Sequence, residues 1–168
     1  LTVNGARVPA WAGAAAAVAF GSMPLVLWEI GTAYIDLGTA LFQFLALTAL
    51  LDAVTEREGR PALEVGGAAL AGILSGFALG TKYTALIQLG LLGIGLLWLL
   101  FRAAPRARLG VLYAAAAFSA LAVLVAAPWY VKNWLCVHNP VYPFFFKYFP
   151  KSYSWTAEFE AGYAGEQA

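Results

Sequence analysis

Long apolar runs separated by short polar segments make up residues 10–127 of the chain. About 20 mostly apolar residues are enough for an α-helix to cross the hydrocarbon core of a bilayer, so each run predicts at least one membrane-spanning helix. The runs divide into five such helices. We expect these spans over residues 10–30, 33–54, 65–79, 84–101 and 109–127.

Prolines and charged residues mark the places where the runs break. Pro24 lies inside the first span and should kink its last turns, because proline removes a backbone hydrogen bond. Residues 55–61 are polar and contain glycine and proline, which ends the second helix. The apolar stretch 65–101 is nearly twice as long as one span requires, and Lys82 is the charged residue inside it, so we expect a turn there. Pro128 should end or kink the fifth helix.

In this five-span arrangement the arginines and the lysines fall on opposite membrane faces. The arginine face carries dense clusters in short loops, which predicts that it is cytoplasmic. The tail, residues 129–168, is then extracytoplasmic. Its prolines and aromatic residues favour a segment that lies on or re-enters the interface, although a plain aromatic belt explains the same composition. The arginines are Arg7, Arg57, Arg60, Arg102, Arg106 and Arg108; the lysines are Lys82, Lys132, Lys147 and Lys151.

Composition favours lipid as the surrounding solvent. Hydrophobic residues make up 62% and charged residues 11% of the 168 residues, and the mean hydropathy is +0.74; soluble domains carry roughly 25% charged residues. The net charge of +1 offers no electrostatic argument for nucleic-acid binding, and the lone cysteine, Cys136, excludes an internal disulfide. The sequence therefore predicts an all-α protein, a polytopic transmembrane helix bundle over residues 1–128 followed by the tail 129–168.

Small residues recur on one face of the third predicted helix. Gly72, Gly76 and Gly80 follow one another at four-residue spacing. Such a stripe lets a second helix approach closely, because no side chain separates the two backbones. We interpret it as a helix-packing face.

Four ionisable residues gather at the predicted extracytoplasmic ends of the helices. Glu29 ends the first helix, Asp36 lies about one turn into the second, Lys82 occupies the turn after the third, and Lys132 follows the fifth. An ionisable residue at membrane depth is costly and is a functional candidate for that reason. One interpretation is a site for an anionic lipid phosphate, bound by Lys82 and Lys132, with a carboxylate as base or cation ligand. The alternative is that the lysines snorkel to the headgroups and pair with the acids.

The sequence matches none of the common catalytic motifs. The sequence contains no P-loop, no dinucleotide-binding glycine fingerprint, no HExxH and no nucleophile elbow. His138 has the chemistry of a base or a metal ligand, but no second ligand stands at a suitable spacing. A satisfied interfacial histidine is the simpler interpretation.

Three ordered segments carry a family resemblance: 24–42 (PLVLWEIGTAYIDLGTALF), 76–85 (GFALGTKYTA) and 127–134 (APWYVKNW) with 139–144 (NPVYPF). In this order and spacing they resemble the middle of bacterial GT-C glycosyltransferases. That group contains the dolichyl-phosphate-mannose–protein mannosyltransferases and the aminoarabinose transferases. The resemblance covers most of residues 10–146.

The resemblance implies a multi-spanning, inverting transferase of the bacterial inner membrane that takes a sugar from a polyprenyl-phosphate donor on the extracytoplasmic side. Asp36 falls where the family often has an acidic residue, near the donor or a bound divalent metal, and is the implied catalytic residue. Lys82 falls at the family's lysine position, a partner for the lipid phosphate.

One family feature has no counterpart in the sequence. The family's main catalytic carboxylate lies in the first extracytoplasmic loop, upstream of anything that matches here. We therefore expect either a fragment of such a transferase or a truncated relative without its catalytic centre. The alternative is a non-catalytic accessory subunit that packs through Gly72, Gly76 and Gly80 against a larger membrane complex.

Overall fold

The computed structural model of the chain describes residues 2–3, 6–7, 9–32, 34–57, 59–145, 148–149, 161–162 and 165. Over these residues the fold is all-α, with two small antiparallel hairpins. The helices are α1 (Ala10–Gly21), α2 (Pro24–Ile30), α3 (Asp36–Ala53), α4 (Val65–Thr81), α5 (Ala85–Arg102) and α6 (Arg108–Val137). The hairpins are β1 (Thr2–Val3) with β2 (Ala6–Arg7), and β3 (Val54–Arg57) with β4 (Arg60–Leu63).

The helices have the length and surface of an integral membrane protein. Among the described residues, α3, α5 and α6 are long and apolar enough to cross a membrane, and α1 with α2 makes a fourth if this bent pair is one span. The 17-residue α4 is also apolar, and at 1.5 Å per residue it extends about 26 Å. Large apolar side chains cover the outside: Ile87 is 71%, Phe101 77% and Leu124 67% exposed. So large an exposed apolar surface is unfavourable in water, whereas lipid solvates it well.

α4 is the centre of the bundle and packs most extensively against α3 and α6. It runs antiparallel to α3, so that Thr81 meets Thr39, and parallel to α6. Small side chains fill the contacts, among them the fully buried Ala68, Ala71 and Ala114. Leu92, Leu96 and Leu99 of α5 complete the same core.

Glycines set the spacing between α4 and its neighbours. A Cβ atom on Gly72 would lie 2.3 Å from the carbonyl oxygen of Phe118, and one on Gly76 would lie 2.6 Å from Val125 Cβ. These two positions therefore let α6 approach closely. Gly80 belongs to the expected stripe but has nothing within 4 Å of its Cβ position, so the close approach ends before it.

Gly67 makes a further close contact that the stripe does not include. A Cβ there would lie 2.6 Å from Ala53 Cβ of α3. α4 thus uses glycines on two faces, one toward each neighbour.

The first span differs from the expected kinked helix. α1 and α2 are bent by 73° at the break between them. Pro24 is the first residue of α2, a position where its missing N–H costs nothing and its fixed φ favours the helix. The proline therefore starts a helix here.

Two other segments also depart from expectation. Residues 55–61, expected as a polar loop, form most of the β3–β4 hairpin, with Gly59 at φ 69° in its turn. α6 passes through Pro128 and ends at Val137, so residues 129–137 of the expected tail are helical. An interior proline costs roughly 3 kcal/mol, and the last turns of α6 make hydrogen bonds to the turn between α4 and α5 that oppose this cost. Most of the tail beyond residue 149, with Lys147, lies outside the described residues.

Candidate functional site

The described lysines, Lys82 and Lys132, lie at the opposite end of the bundle from Arg60, Arg102, Arg106 and Arg108. The lysine end comprises the start of α3, the end of α4, the turn 82–84 and the last three turns of α6. The arginine end comprises the β3–β4 hairpin and the segment between α5 and α6, where Arg60, Arg102 and Arg106 line shared cavities. The side chains of Arg7 and Arg57, and all of Lys151, lie outside the described residues.

An ion pair joins α3 to α4 at the lysine end. Lys82, the residue that follows α4, donates to the carboxylate of Asp36, the first residue of α3. The two side chains are 38% and 40% exposed, so a ligand has access to both. Each charge also suits its helix end, since a carboxylate is favoured at a helix N-terminus and an ammonium at a C-terminus.

A neutral hydrogen bond supports the same helix ends from inside the bundle. Thr39 Oγ1 donates to Thr81 Oγ1 over 3.0 Å. Thr39 is buried and lies one turn after Asp36, while Thr81 directly precedes Lys82. The α3–α4 junction is therefore held both by this bond and by the ion pair above it.

Tyr83 ties the turn after α4 to α6. Its hydroxyl accepts hydrogen bonds from Asn133 Nδ2 at 2.9 Å and Trp129 Nε1 at 3.3 Å. Tyr130 and Phe144 pack edge-on against its ring, with centroids 5.8 and 5.5 Å away. Because Asn133 is buried, the Tyr83 hydroxyl satisfies a polar group that would otherwise be costly to bury.

The segment after α6 folds back over the same turn. His138 takes a left-handed backbone conformation, φ 53°, which ends the helix. The side chain of Asn139 is 1% exposed; it donates to the carbonyl of Phe144 at 2.8 Å and accepts from the N–H of Val141 at 3.0 Å. The His138 side chain is exposed and has no hydrogen-bond partner among the described residues.

The four candidate residues are only partly brought together. Asp36 and Lys82 are in contact, and Lys132 is linked to them indirectly: its ammonium lies 4.7 Å from the centroid of Trp129, which contacts Tyr83. Glu29 has one carboxylate oxygen buried without a hydrogen-bond partner in the described part of the chain. Within those residues no side-chain hydrogen bond or ion pair joins Glu29 to Asp36, Lys82 or Lys132.

A divalent metal does not fit this arrangement. No group of three or more His, Cys, Asp and Glu side chains converges anywhere in the described residues. The ammonium of Lys82 moreover occupies one oxygen of the Asp36 carboxylate. Among the described residues, the charged groups in contact at the lysine end are this ammonium and this carboxylate.

Sequence reasoning did not single out Tyr83, Asn133 or Asn139. All three lie within or beside the segments that carry the family resemblance, but neutral side chains give no signal of burial in a hydropathy pattern. Comparison with protein-family models, with curated proteins and with solved structures found no match to the chain. The geometry of the lysine end is therefore the basis for assigning a function.

Proposed function

We propose that the lysine end binds the phosphate of a polyprenyl-phosphate-linked sugar, and that the chain is part of a membrane glycosyltransferase of the kind its three segments resemble. The observation that carries this proposal is the half-exposed Lys82–Asp36 pair at the end of an apolar bundle. An ammonium in that position meets the phosphate of a lipid whose hydrocarbon chain lies among the helices. Charge-assisted contacts to phosphate are strong in such partly dehydrated surroundings.

The charge on the donor explains why an ammonium suits the reaction. Transfer breaks the bond between the anomeric carbon and a phosphate oxygen, and the electron pair stays on the phosphate. The donor phosphodiester carries one negative charge, whereas the product monoester carries close to two at neutral pH. Lys82 would therefore interact more strongly with the leaving phosphate than with the bound donor, which lowers the barrier.

Asp36 supplies a carboxylate next to the ammonium of Lys82. When a phosphate oxygen replaces the carboxylate at Lys82, Asp36 is released from its ion pair. In an inverting transfer the acceptor hydroxyl attacks the anomeric carbon from the face opposite the phosphate, so the base that takes its proton lies on that other face. A free carboxylate beside the phosphate can instead accept hydrogen bonds from hydroxyl groups of the donor sugar. The pair thus has a role for each member, one for the leaving group and one for the donor sugar.

We propose a topology of five membrane crossings for this bundle. The α1–α2 pair and the helices α3, α4, α5 and α6 make five crossings, with the arginine end cytoplasmic and the lysine end extracytoplasmic in the bacterial inner membrane. The accessory-subunit alternative relied on the glycine face of α4 as a docking surface. α6 of the same chain covers Gly72 and Gly76, so that alternative would need another surface.

The test compares polyprenyl phosphate binding to the full chain and its variants in nanodiscs. A charge-assisted hydrogen bond contributes about 1.5–3 kcal/mol, so Lys82→Ala should weaken binding by about 10- to 150-fold. Lys82→Arg should recover part of the affinity, since a guanidinium differs in length and geometry. In Asp36→Asn the phosphate no longer has to break the Lys82–Asp36 ion pair in order to bind. An ion pair with this exposure contributes only about 0–1 kcal/mol, so the affinity of the variant for polyprenyl phosphate should be equal to that of the wild type or up to about fivefold tighter.

Thr39→Val provides the matched control. It removes the neutral bond to Thr81 at the same helix ends and leaves both charges in place. Suppose that the ion pair only fastens α3 to α4. The melting temperature should then fall slightly in all three variants, Lys82→Ala, Asp36→Asn and Thr39→Val, and the affinity for polyprenyl phosphate should not change more in one of them than in the others. That pattern would refute a phosphate site at Lys82.

A further inference from the structure

A short loop after α6, residues 139–144, is closed by one buried side chain. Asn139 is 1% exposed, and its amide bonds to the backbone at two places in the loop, the carbonyl of Phe144 and the N–H of Val141. The first bond needs a donor and the second an acceptor, and a neutral amide supplies both. Asn139 therefore determines the shape of this loop.

The closed loop presents two groups to Tyr83. The ring of Phe144 packs edge-on against the ring of Tyr83, and the Tyr83 hydroxyl donates to the carbonyl oxygen of Pro140 over a long distance of 3.5 Å. The same hydroxyl accepts from Asn133 and Trp129 of α6. A hydroxyl has one proton and two lone pairs, so these three contacts use all of them. Tyr83 is thus held jointly by α6 and by the 139–144 loop.

A fixed Tyr83 also restricts Lys82, the residue before it in the chain. Lys82 directly follows the last residue of α4 and has an extended backbone, with φ −151° and ψ 136°, so the helix no longer holds it on its C-terminal side. A lysine side chain is long and flexible, and ordering it on a ligand already costs conformational entropy. A backbone that is fixed beforehand spares binding a second ordering cost.

We propose that Asn139 is a positioning residue for Lys82. Asn139 shapes the 139–144 loop, the loop and α6 hold Tyr83, and Tyr83 fixes the backbone beside the ammonium that meets the phosphate. Asn139 is buried and acts through these contacts, not on the phosphate itself. This inference rests on the proposed function of Lys82, and it adds to that site a residue more than fifty positions further along the chain.

The test is a double-mutant cycle on the full chain in nanodiscs, with polyprenyl phosphate as the probe. Asn139→Ala should weaken binding about fivefold or more, because the phosphate must then order the backbone of Lys82. In a Lys82→Ala background the same substitution should change the affinity by less than about twofold, since no ammonium is left to be positioned. A purely structural role for Asn139 would give the same loss in both backgrounds and would overturn the proposal.

Two further variants complete the cycle. Phe145→Ala is the matched control, because it removes a ring that is 63% exposed just after the loop and leaves both bonds of Asn139 in place; it should not change the affinity. Asn139→Asp keeps the size and the acceptor but, when ionised, cannot donate to Phe144. It replaces Asn139→Ala if that variant does not fold, and it should show the same dependence on Lys82.

The two proposals fail in different ways. Unchanged binding in Lys82→Ala would refute the phosphate site, and the positioning role with it. Weakened binding in Lys82→Ala together with unchanged binding in the Asn139 variants would remove the positioning role alone and leave the phosphate site standing.

Discussion

Gly72→Ala tests the packing at the centre of the bundle most directly. The new Cβ atom would lie 2.3 Å from the carbonyl oxygen and 2.9 Å from the Cα atom of Phe118. Both are backbone atoms, so no change of side-chain rotamer relieves the contact. The two helices must separate by about 1 Å to restore an ordinary carbon contact of 3.5 Å or more.

The expected cost follows from that geometry. Inserting a methyl group into a well-packed core costs roughly 1–3 kcal/mol, and a clash with backbone puts Gly72→Ala at the upper end, about 2–3 kcal/mol. Gly80→Ala makes the same chemical change eight residues further along the same helix, where the space is open. It should be neutral or stabilise by up to about 1 kcal/mol, since alanine favours a helix over glycine.

The assay is unfolding of the purified chain in mixed micelles, read as the free energy of unfolding of each variant. We expect Gly72→Ala to lie at least about 2 kcal/mol below Gly80→Ala, which is roughly a 30-fold difference in the folding equilibrium. Gly76→Leu should behave like Gly72→Ala or worse, because Val125 and the carbonyl of Ala122 block its Cβ. Equal stabilities for Gly72→Ala and Gly80→Ala would show that α6 does not pack on α4 at this distance.

Two further predictions concern the lysine end. A membrane-impermeant maleimide added to intact cells should label the exposed native Cys136, and should not label Arg106→Cys in a Cys136→Ser background; the reverse pattern would invert the topology. Tyr83→Phe should lower the free energy of unfolding by about 1–3 kcal/mol, because the buried amide of Asn133 loses its acceptor. Tyr148→Phe, at a side chain that is 80% exposed, is the control and should have no effect; equal values for the two would refute the role of the Tyr83 hydroxyl.

Run length and helix direction made part of this structure predictable. Apolar runs of spanning length mark α3 and α5 to within a few residues, because lipid requires a helix of that length. The alternation of helix direction puts the start of one span beside the end of the next. Asp36 and Lys82 are therefore expected at one end of the bundle from the sequence alone, and the structure joins them.

Other features depend on contacts that a hydropathy pattern does not encode. Pro128 was predicted to end or kink the helix because its cost is local, and the helix does not end there; contacts beyond the proline come from Tyr83, more than forty residues earlier. The spacing of Gly72 and Gly76 predicted a packing face, but spacing alone does not show where the partner helix diverges, so Gly80 was included with them. Gly67 was missed because it faces a different neighbour.

The central position of α4 has a consequence for how the chain is made. Its two principal neighbours leave the ribosome at different times: α3 is synthesised before it, whereas the part of α6 that covers Gly72 follows roughly fifty residues later, several seconds at about 5–20 residues per second. During that interval the nascent chain holds a short helix whose glycine face has no protein against it. Synthesis of α6 therefore closes the core, and an arrest between α5 and α6 would leave the inserted intermediate open to membrane proteases.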